Sequence, residues 1–270
     1  LKGKSQSTEI CFEIGKLEDP YFRYKMASLI FNKAGALEEI QPGVADDAIY
    51  AGQRVPYLTG SQLQRYAAII YAESTYLGLL RQIHPVQPIV EMEREAFAMA
   101  VTMYQYARSK SAAFQRAQRF YGLQDLLNDS GYTKGINSPI LQEYYGEAGD
   151  EQRRRSATLA VIRLFTRQFW GFESVVEAVQ GALYWDGNDL FRRYKDHYRA
   201  KKGFELGHSD HGRLYQEVTS LEGVQVIQSC PATDPAVAVL RTYTFRSCAT
   251  YGGSIFFQLH PQALEQGISW

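Results

Sequence analysis

Cysteine, methionine and proline are scarce in this chain, at 3, 4 and 9 of 270 residues. Three cysteines, Cys11, Cys230 and Cys248, cannot form a closed set of pairs, so no disulfide framework is written into the sequence. A Cys230–Cys248 bridge, adding about 3 kcal/mol by restricting the unfolded chain, and two buried free thiols stand as equal readings. An excess of either charge is also lacking: 29 Lys plus Arg balance 29 Asp plus Glu. A general nucleic-acid binder gathers surplus positive charge on one face, so that class is excluded. The short run Arg153 to Arg155 follows Glu147, Asp150 and Glu151 and reads as a solvated helix start. No apolar stretch approaches the ~20 residues that span a bilayer. No charged-then-apolar leader follows Leu1, so we expect a segment of a longer protein that something else delivers. Glycine forms no phosphate-binding loop, and serine forms no Gly-x-Ser-x-Gly elbow.

What is abundant is tyrosine, 19 residues in an aromatic share of 13%. A flat apolar face with a polar tip suits a groove that holds sugar rings, although a Tyr-rich core accounts for the same composition. With 45% apolar and 21% charged residues the chain is of globular type and long enough to bury a substantial core.

Apolar spacing predicts one helix over Tyr21–Lys33, then a turn-rich stretch near Gln41-Pro42-Gly43. Ser61 and Gln64 form a capping-box pair that opens a helix running to Glu73, with Leu63, Tyr66, Ala67 and Ile70 on one face. After His84-Pro85 and Pro88, a second helix begins near Glu91–Glu95, its buried stripe marked by Ala96, Met99, Ala100 and Met103. A third covers Ala113–Leu127. Arg154–Trp170 reads as a helix stopped by Gly171, and Ser174 with Glu177 caps another that reaches Leu183. A charged helix follows over Asp189–Ala200. The last fifty residues switch to period-two alternation at Val224–Ser229, Arg241–Arg246 and Ser254–Leu259, as strands of a small sheet. The expected organisation is an N-terminal helical extension or linker, 1–55, and one mainly α domain, 56–270, with a small C-terminal β-sheet.

Glycoside hydrolysis uses one carboxylic acid to protonate the leaving oxygen, commonly with a second, ionised carboxylate. Glu73 suits the first role: it ends a helix after Ile69-Ile70-Tyr71-Ala72, where the backbone carbonyls oppose negative charge. Glu91, Glu93 and Glu95 lie in the opening turns of the next helix, where the dipole favours an ionised group. Two carboxyls on helix ends of opposite polarity are thus pushed toward different protonation states, though terminal acids of this kind occur on many helices.

Ile70-Tyr-Ala-Glu-Ser74, followed by Glu95-Ala-Phe-Ala-Met-Ala100, resembles a family of lysozyme-like cell-wall hydrolases, whose Tyr-Gly/Ala-Glu-Ser/Ala segment precedes a Glu-x-x-Ala-Ile-Ala helix. Gly181-Ala-Leu-Tyr-Trp-Asp-Gly-Asn-Asp189 is similar to the family's later Gly-Ala-x-x-Trp-Asp-Gly-x-Asp signature. Gly252-Gly-Ser-Ile-Phe-Phe257 is similar to its closing strand. The four blocks, in family order, span roughly residues 60 to 257 and resemble most the muramidase domains of type VI secretion effectors. The resemblance implies a lysozyme-like fold and cleavage of the β-1,4 bond between N-acetylmuramic acid and N-acetylglucosamine, with no cofactor. It places the essential acid at Glu73 and a supporting one at Glu95; a longer connection between the blocks leaves Glu91 and Glu93 as alternatives. Gln105-Tyr-Ala-Arg108 departs from the family's polar residues at that helix end. A secreted antibacterial toxin of this kind acts in the periplasm of a target bacterium. It meets peptidoglycan strands, a cognate immunity protein and a carrier in the secretion apparatus.

Trp185 is a candidate to stack on a sugar face, with Asp186 or Asp189 bonding its hydroxyls; Trp185 as core anchor and Asp189 as helix cap is the structural alternative. Tyr71, Tyr121 and Tyr184 are further candidates for lining the groove, with packing the alternative for Tyr71 and Tyr121. Three other functions compete. Glu205, His208 and His211 have metal-like spacing, but lie in a loop without a His-Glu-x-x-His motif, which would mean a zinc peptidase. A cysteine amidase or peptidase cutting stem peptides needs a thiolate beside histidine, and neither Cys230 nor Cys248 has that context. A non-catalytic wall-binding effector module would keep the aromatic groove and tolerate loss of Glu73.

Overall fold

A computed structural model describes residues 27–42, 46–116, 127, 143–146, 149–187, 204–205 and 245–265. The chain divides into two compact units, Leu1–Glu73 with Ala117–Trp170, and Ser74–Arg116 with Gly171–Trp270. Among the described residues helices and strands are both well represented, with two small four-stranded sheets where one is expected.

The first unit opens with strands where a helical extension is expected. β1 (Ala27–Phe31), β2 (Leu37–Pro42), β3 (Asp47–Tyr50) and β4 (Gln53–Thr59) form a sheet of order β2-β1-β3-β4. β1 runs antiparallel to β2 and parallel to β3. The helix predicted over Tyr21–Lys33 is therefore corrected over its described part, and the expected boundary at 55/56 falls inside β4. Leu29 and Phe31 alternate inward and are buried, the period-two signature of a strand with one covered face. β3 and β4 are joined by Ala51-Gly52, both with positive φ (49° and 76°), the two-residue turn whose twist matches a hairpin.

Helix α1 (Gly60–Glu73) follows β4 directly and is buried over most of its surface. Its N-terminus is capped two residues earlier than the sequence pattern implies. Thr59 Oγ1 accepts from the Gln62 amide at 3.1 Å, while Gln62 Oε1 accepts from the Thr59 amide at 3.0 Å, a reciprocal capping box. Ser61, the expected cap, instead gives its amide and hydroxyl to the Asp46 carboxylate at 2.9 and 2.7 Å. That carboxylate also faces the positive end of the helix dipole. α1 packs on α4 (Glu151–Thr166), with Tyr66 edge-on to Phe165 at 6.1 Å. Asp150 caps α4 by accepting from the Arg153 amide at 3.0 Å. α4 stops at Thr166 because Arg167 turns left-handed, rather than at Gly171.

In the second unit, α2 (Leu77–Ile83) packs against α3 (Pro88–Arg116), one 29-residue helix that absorbs the start of the separate helix expected from Ala113. α5 (Glu173–Ala178) has Phe172 at its N-cap with no side-chain cap, so the Ser174–Glu177 box does not form, and the helix ends five residues short of Leu183. β5 (Tyr184–Gly187), β6 (Phe204–Glu205), β7 (Phe245–Tyr251) and β8 (Ser254–Leu259) form a sheet of order β5-β8-β7-β6, followed by α6 (Pro261–Glu265). The strand expected at Ser254–Leu259 has those bounds. Val224–Ser229, the helix over Asp189–Ala200 and most of Ala113–Leu127 lie outside the described residues. α3 lies against β5, β7, β8 and α5, with Phe97 edge-on to Phe172 at 5.2 Å. Among the described residues no helix is long and apolar enough to cross a membrane.

Candidate functional site

Glu73 is the last residue of α1 and is exposed, whereas Tyr71, two residues before it, is wholly buried. The Tyr71 hydroxyl accepts from the Asp150 amide at 2.9 Å and donates to Glu143 Oε2 at 3.4 Å. Its ring meets Tyr144 edge-on at 5.6 Å and lies under the Arg153 guanidinium at 4.7 Å. Arg153 also donates to the Ala72 carbonyl at 3.4 Å. Burial pushes the Tyr71 phenol above its ordinary value, the Asp150 amide and Arg153 pulling the other way. Tyr71 is therefore corrected from a groove-lining residue to an interior clamp that fixes the last turn of α1. Its neighbour carries the exposed carboxyl.

The second unit holds a buried carboxylate cluster. Pro88 starts α3, so Glu91 stands in its first turn and Glu95 one turn further on the same face. Glu95 is completely enclosed. Its Oε1 accepts from Thr75 Oγ1 at 2.7 Å, from Ser254 Oγ at 2.6 Å and from the Gly253 amide at 3.2 Å. Oε2 accepts from the Thr75 amide at 3.0 Å. Glu91 Oε2 accepts from the Gly252 amide at 3.3 Å, and its Oε1 pairs with Arg94 at 3.0 Å. His84 Nε2 meets the Gly252 carbonyl at 3.0 Å. The two carboxylates thus hold the tip of the β7–β8 hairpin, and Glu95 holds Thr75 as well.

Glycine is required at that tip. Gly252 has φ +55°, and a Cβ there would come within 2.6 Å of Glu95 Oε2; a Cβ on Gly253 would strike Thr75 Oγ1. Burial pushes the Glu95 carboxyl above its ordinary value, with the hydrogen bonds from Ser254, Thr75 and Gly253 opposing that shift. The supporting-carboxylate role expected of Glu95 is corrected: a group sealed from solvent and already bonded to four protein donors does not face a substrate. Glu93 is the acid of those turns that remains partly exposed.

Tyr184, Trp185 and Asp186 are half-buried on β5 and pair across the sheet with Phe257, Phe256 and Ile255. Tyr184 stacks on Phe257 at 5.9 Å and meets Tyr106 edge-on at 5.4 Å. Asp186 Oδ1 accepts from the Gly187 amide at 3.0 Å. Sequence reading missed Gln105, whose carboxamide donates to the Val179 carbonyl at 3.1 Å and accepts from the Gly181 amide at 2.8 Å. It fixes the loop that enters β5. Its signal was an amide just past the apolar stripe Ala96–Met103 of α3.

Tyr121, Asp189, His208 and His211 lie outside the described residues, as do Cys11 and Cys230. Cys248 is a free thiol, pushed up to about 11 by burial with Arg246 pulling weakly against it, so it stays protonated near neutral pH. Among the described residues no group of three His, Cys, Asp or Glu side chains is placed to hold a metal. No protein-family model, curated protein or solved structure matches this chain.

Proposed function

We propose that this chain is a peptidoglycan hydrolase of mainly helical, lysozyme-like type, cleaving the β-1,4 bond between N-acetylmuramic acid and N-acetylglucosamine with Glu73 as proton donor. The observation that carries the proposal is a solvent-accessible carboxyl at the carbonyl end of α1, on a turn clamped by Tyr71 and Arg153. The helix end disfavours negative charge there, which helps the carboxyl keep a proton until the leaving oxygen takes it. A fixed backbone holds the donor in one place, as proton transfer requires.

Glu73 gives its proton to the bridging oxygen, the C1–O bond breaks with its electron pair on that oxygen, and positive charge develops on the ring. The incoming hydroxyl then adds to C1 and returns a proton to the Glu73 carboxylate. Enclosure of Glu95 favours this single-acid route over one in which Glu95 activates water. The incoming hydroxyl is then either water, leaving a reducing end, or the sugar's own C6 hydroxyl, leaving an anhydro ring. Trp185 and Asp186, half-exposed on β5, suit a sugar face and its hydroxyls. No cofactor enters this chemistry. The protonated state of Cys248 disfavours a thiol amidase built on that residue.

In this reading the domain is an antibacterial effector delivered to the periplasm of a competitor and countered by an immunity protein in its producer. The test is digestion of purified peptidoglycan followed by mass spectrometry of the products. Muropeptides ending in reducing or anhydro muramic acid are expected; freed stem peptides with intact glycan would instead mean an amidase.

A further inference from the structure

We propose that the first unit carries a second, separate binding site that takes a small carboxylate bearing a secondary amide, an N-acyl amino acid. This site neither includes Glu73 nor depends on the hydrolase reading. A pocket of about 180 Å³ opens between the β1–β2 turn, the middle of α1, residues 144–146 and the first half of α4. An engineered cavity of roughly 150 Å³ admits a benzene-sized guest, so a molecule of that order fits.

Three features of the lining select its chemistry. Gln64 is 5% exposed and lines the pocket, and its carboxamide meets no hydrogen-bonding partner among the described residues. A ligand amide, with one donor and one acceptor, would bond both ends of that carboxamide. The charged residues of the lining are Glu151, Arg154 and Arg155, which leaves one net positive charge. Arg154 is consumed by the Tyr144, Glu143 and Gly146 carbonyls and by Glu151. Arg155 gives only Nε to Glu151, at 2.8 Å, so its terminal amino groups remain for an anion among the described residues. Phe31 and Leu37 with the Tyr144 ring supply apolar wall for a short side chain or acyl methyl. Thr158, at the back, is already engaged by Tyr144 and the Arg154 carbonyl, so it does not compete for the ligand.

The test is NMR titration of the whole chain with N-acetylalanine, its methyl ester and acetate. Saturable shifts at Gln64 and Ala36 are expected for N-acetylalanine, with a Kd of about 1 mM for a ligand of that size. The uncharged ester and the amide-free acetate should each bind at least about tenfold more weakly, one hydrogen-bonded contact's worth. Gln64→Leu should weaken N-acetylalanine by a similar factor, and Arg155→Gln should abolish its preference over the ester. The wild-type comparison stands even if a variant fails to fold. Equal binding of acid and ester, binding of acetate as tight as N-acetylalanine, or no saturable shift would overturn the proposal. Glu73→Gln should bind N-acetylalanine unchanged, which separates failure here from failure of the hydrolase.

Discussion

Replacing Glu95 by Ala removes the acceptor for four donors in a sealed site: the Thr75 and Gly253 amides and the Thr75 and Ser254 hydroxyls. The hydroxyls can turn to other acceptors, but the two amides are fixed by their backbone. Each buried donor left without an acceptor costs about 1–3 kcal/mol. Loss of a carboxyl that burial already disfavours returns part of that, so the net destabilisation should be about 2–4 kcal/mol. Glu93→Ala, one helical step away and partly exposed, should change stability by no more than about 0.5 kcal/mol. Urea unfolding followed by circular dichroism gives the comparison. Because two compact units need not unfold together, hydrogen exchange at Thr75 and Gly253 should accompany it. Both amides should be protected in the native chain and lose protection in Glu95→Ala. If Glu95→Ala unfolds with the wild type and those amides exchange as before, the buried network does not hold the hairpin tip.

Stability should also depend on pH through the same group. Burial raises the Glu95 carboxyl above 4.5, so the folded chain keeps that proton to higher pH than the unfolded chain does. The group's contribution is constant below the unfolded value, falls as pH climbs through the window up to the raised folded value, and is flat beyond it. Denaturation midpoints of the wild type against Glu95→Gln across that range should diverge in this sense; parallel curves would contradict it. Gly252→Ala, forced to φ +55° and against Glu95, should cost at least about 1 kcal/mol, measured by thermal unfolding. Tyr71→Phe leaves the Asp150 amide without its hydroxyl acceptor and should cost about 1–2 kcal/mol in the same assay, whereas an unchanged midpoint would remove the clamp.

What could be read in advance was set by how local its cause is. α1 was legible because its apolar spacing is strong and its end at Glu73 has the bounds read from the sequence. Its cap was misplaced by two residues: Thr59 and Gln62 fit the same pattern as Ser61 and Gln64, and the choice is made by Asp46, from another segment. Ala27-Ser-Leu-Ile-Phe carries apolar residues compatible with either period, and the pairing of β1 with β2 and β3 decides for a strand. The helix-dipole rule alone gives Glu95 an open, ionised place, because it takes no account of the helix face the residue occupies. Glu95 lies three residues after the buried Met92 and four before the buried Met99, on the stripe that faces inward. The strand Ser254–Leu259 was legible from its period-two alternation, but the carboxylates that require glycine at the Gly252-Gly253 tip before it come from α3, some 160 residues earlier along the chain.

Glu73 is the group on which the functional account turns, and Glu73→Gln keeps its size while removing the proton it would donate. Purified peptidoglycan incubated with equal amounts of folded wild type and Glu73→Gln, with release of soluble muropeptides followed over time, compares them directly. A general acid contributes about 10²–10⁴-fold, so the variant should release fragments at least about a hundredfold more slowly at unchanged circular dichroism. Equal release by the two proteins, or no glycan cleavage by the wild type, would contradict the assignment.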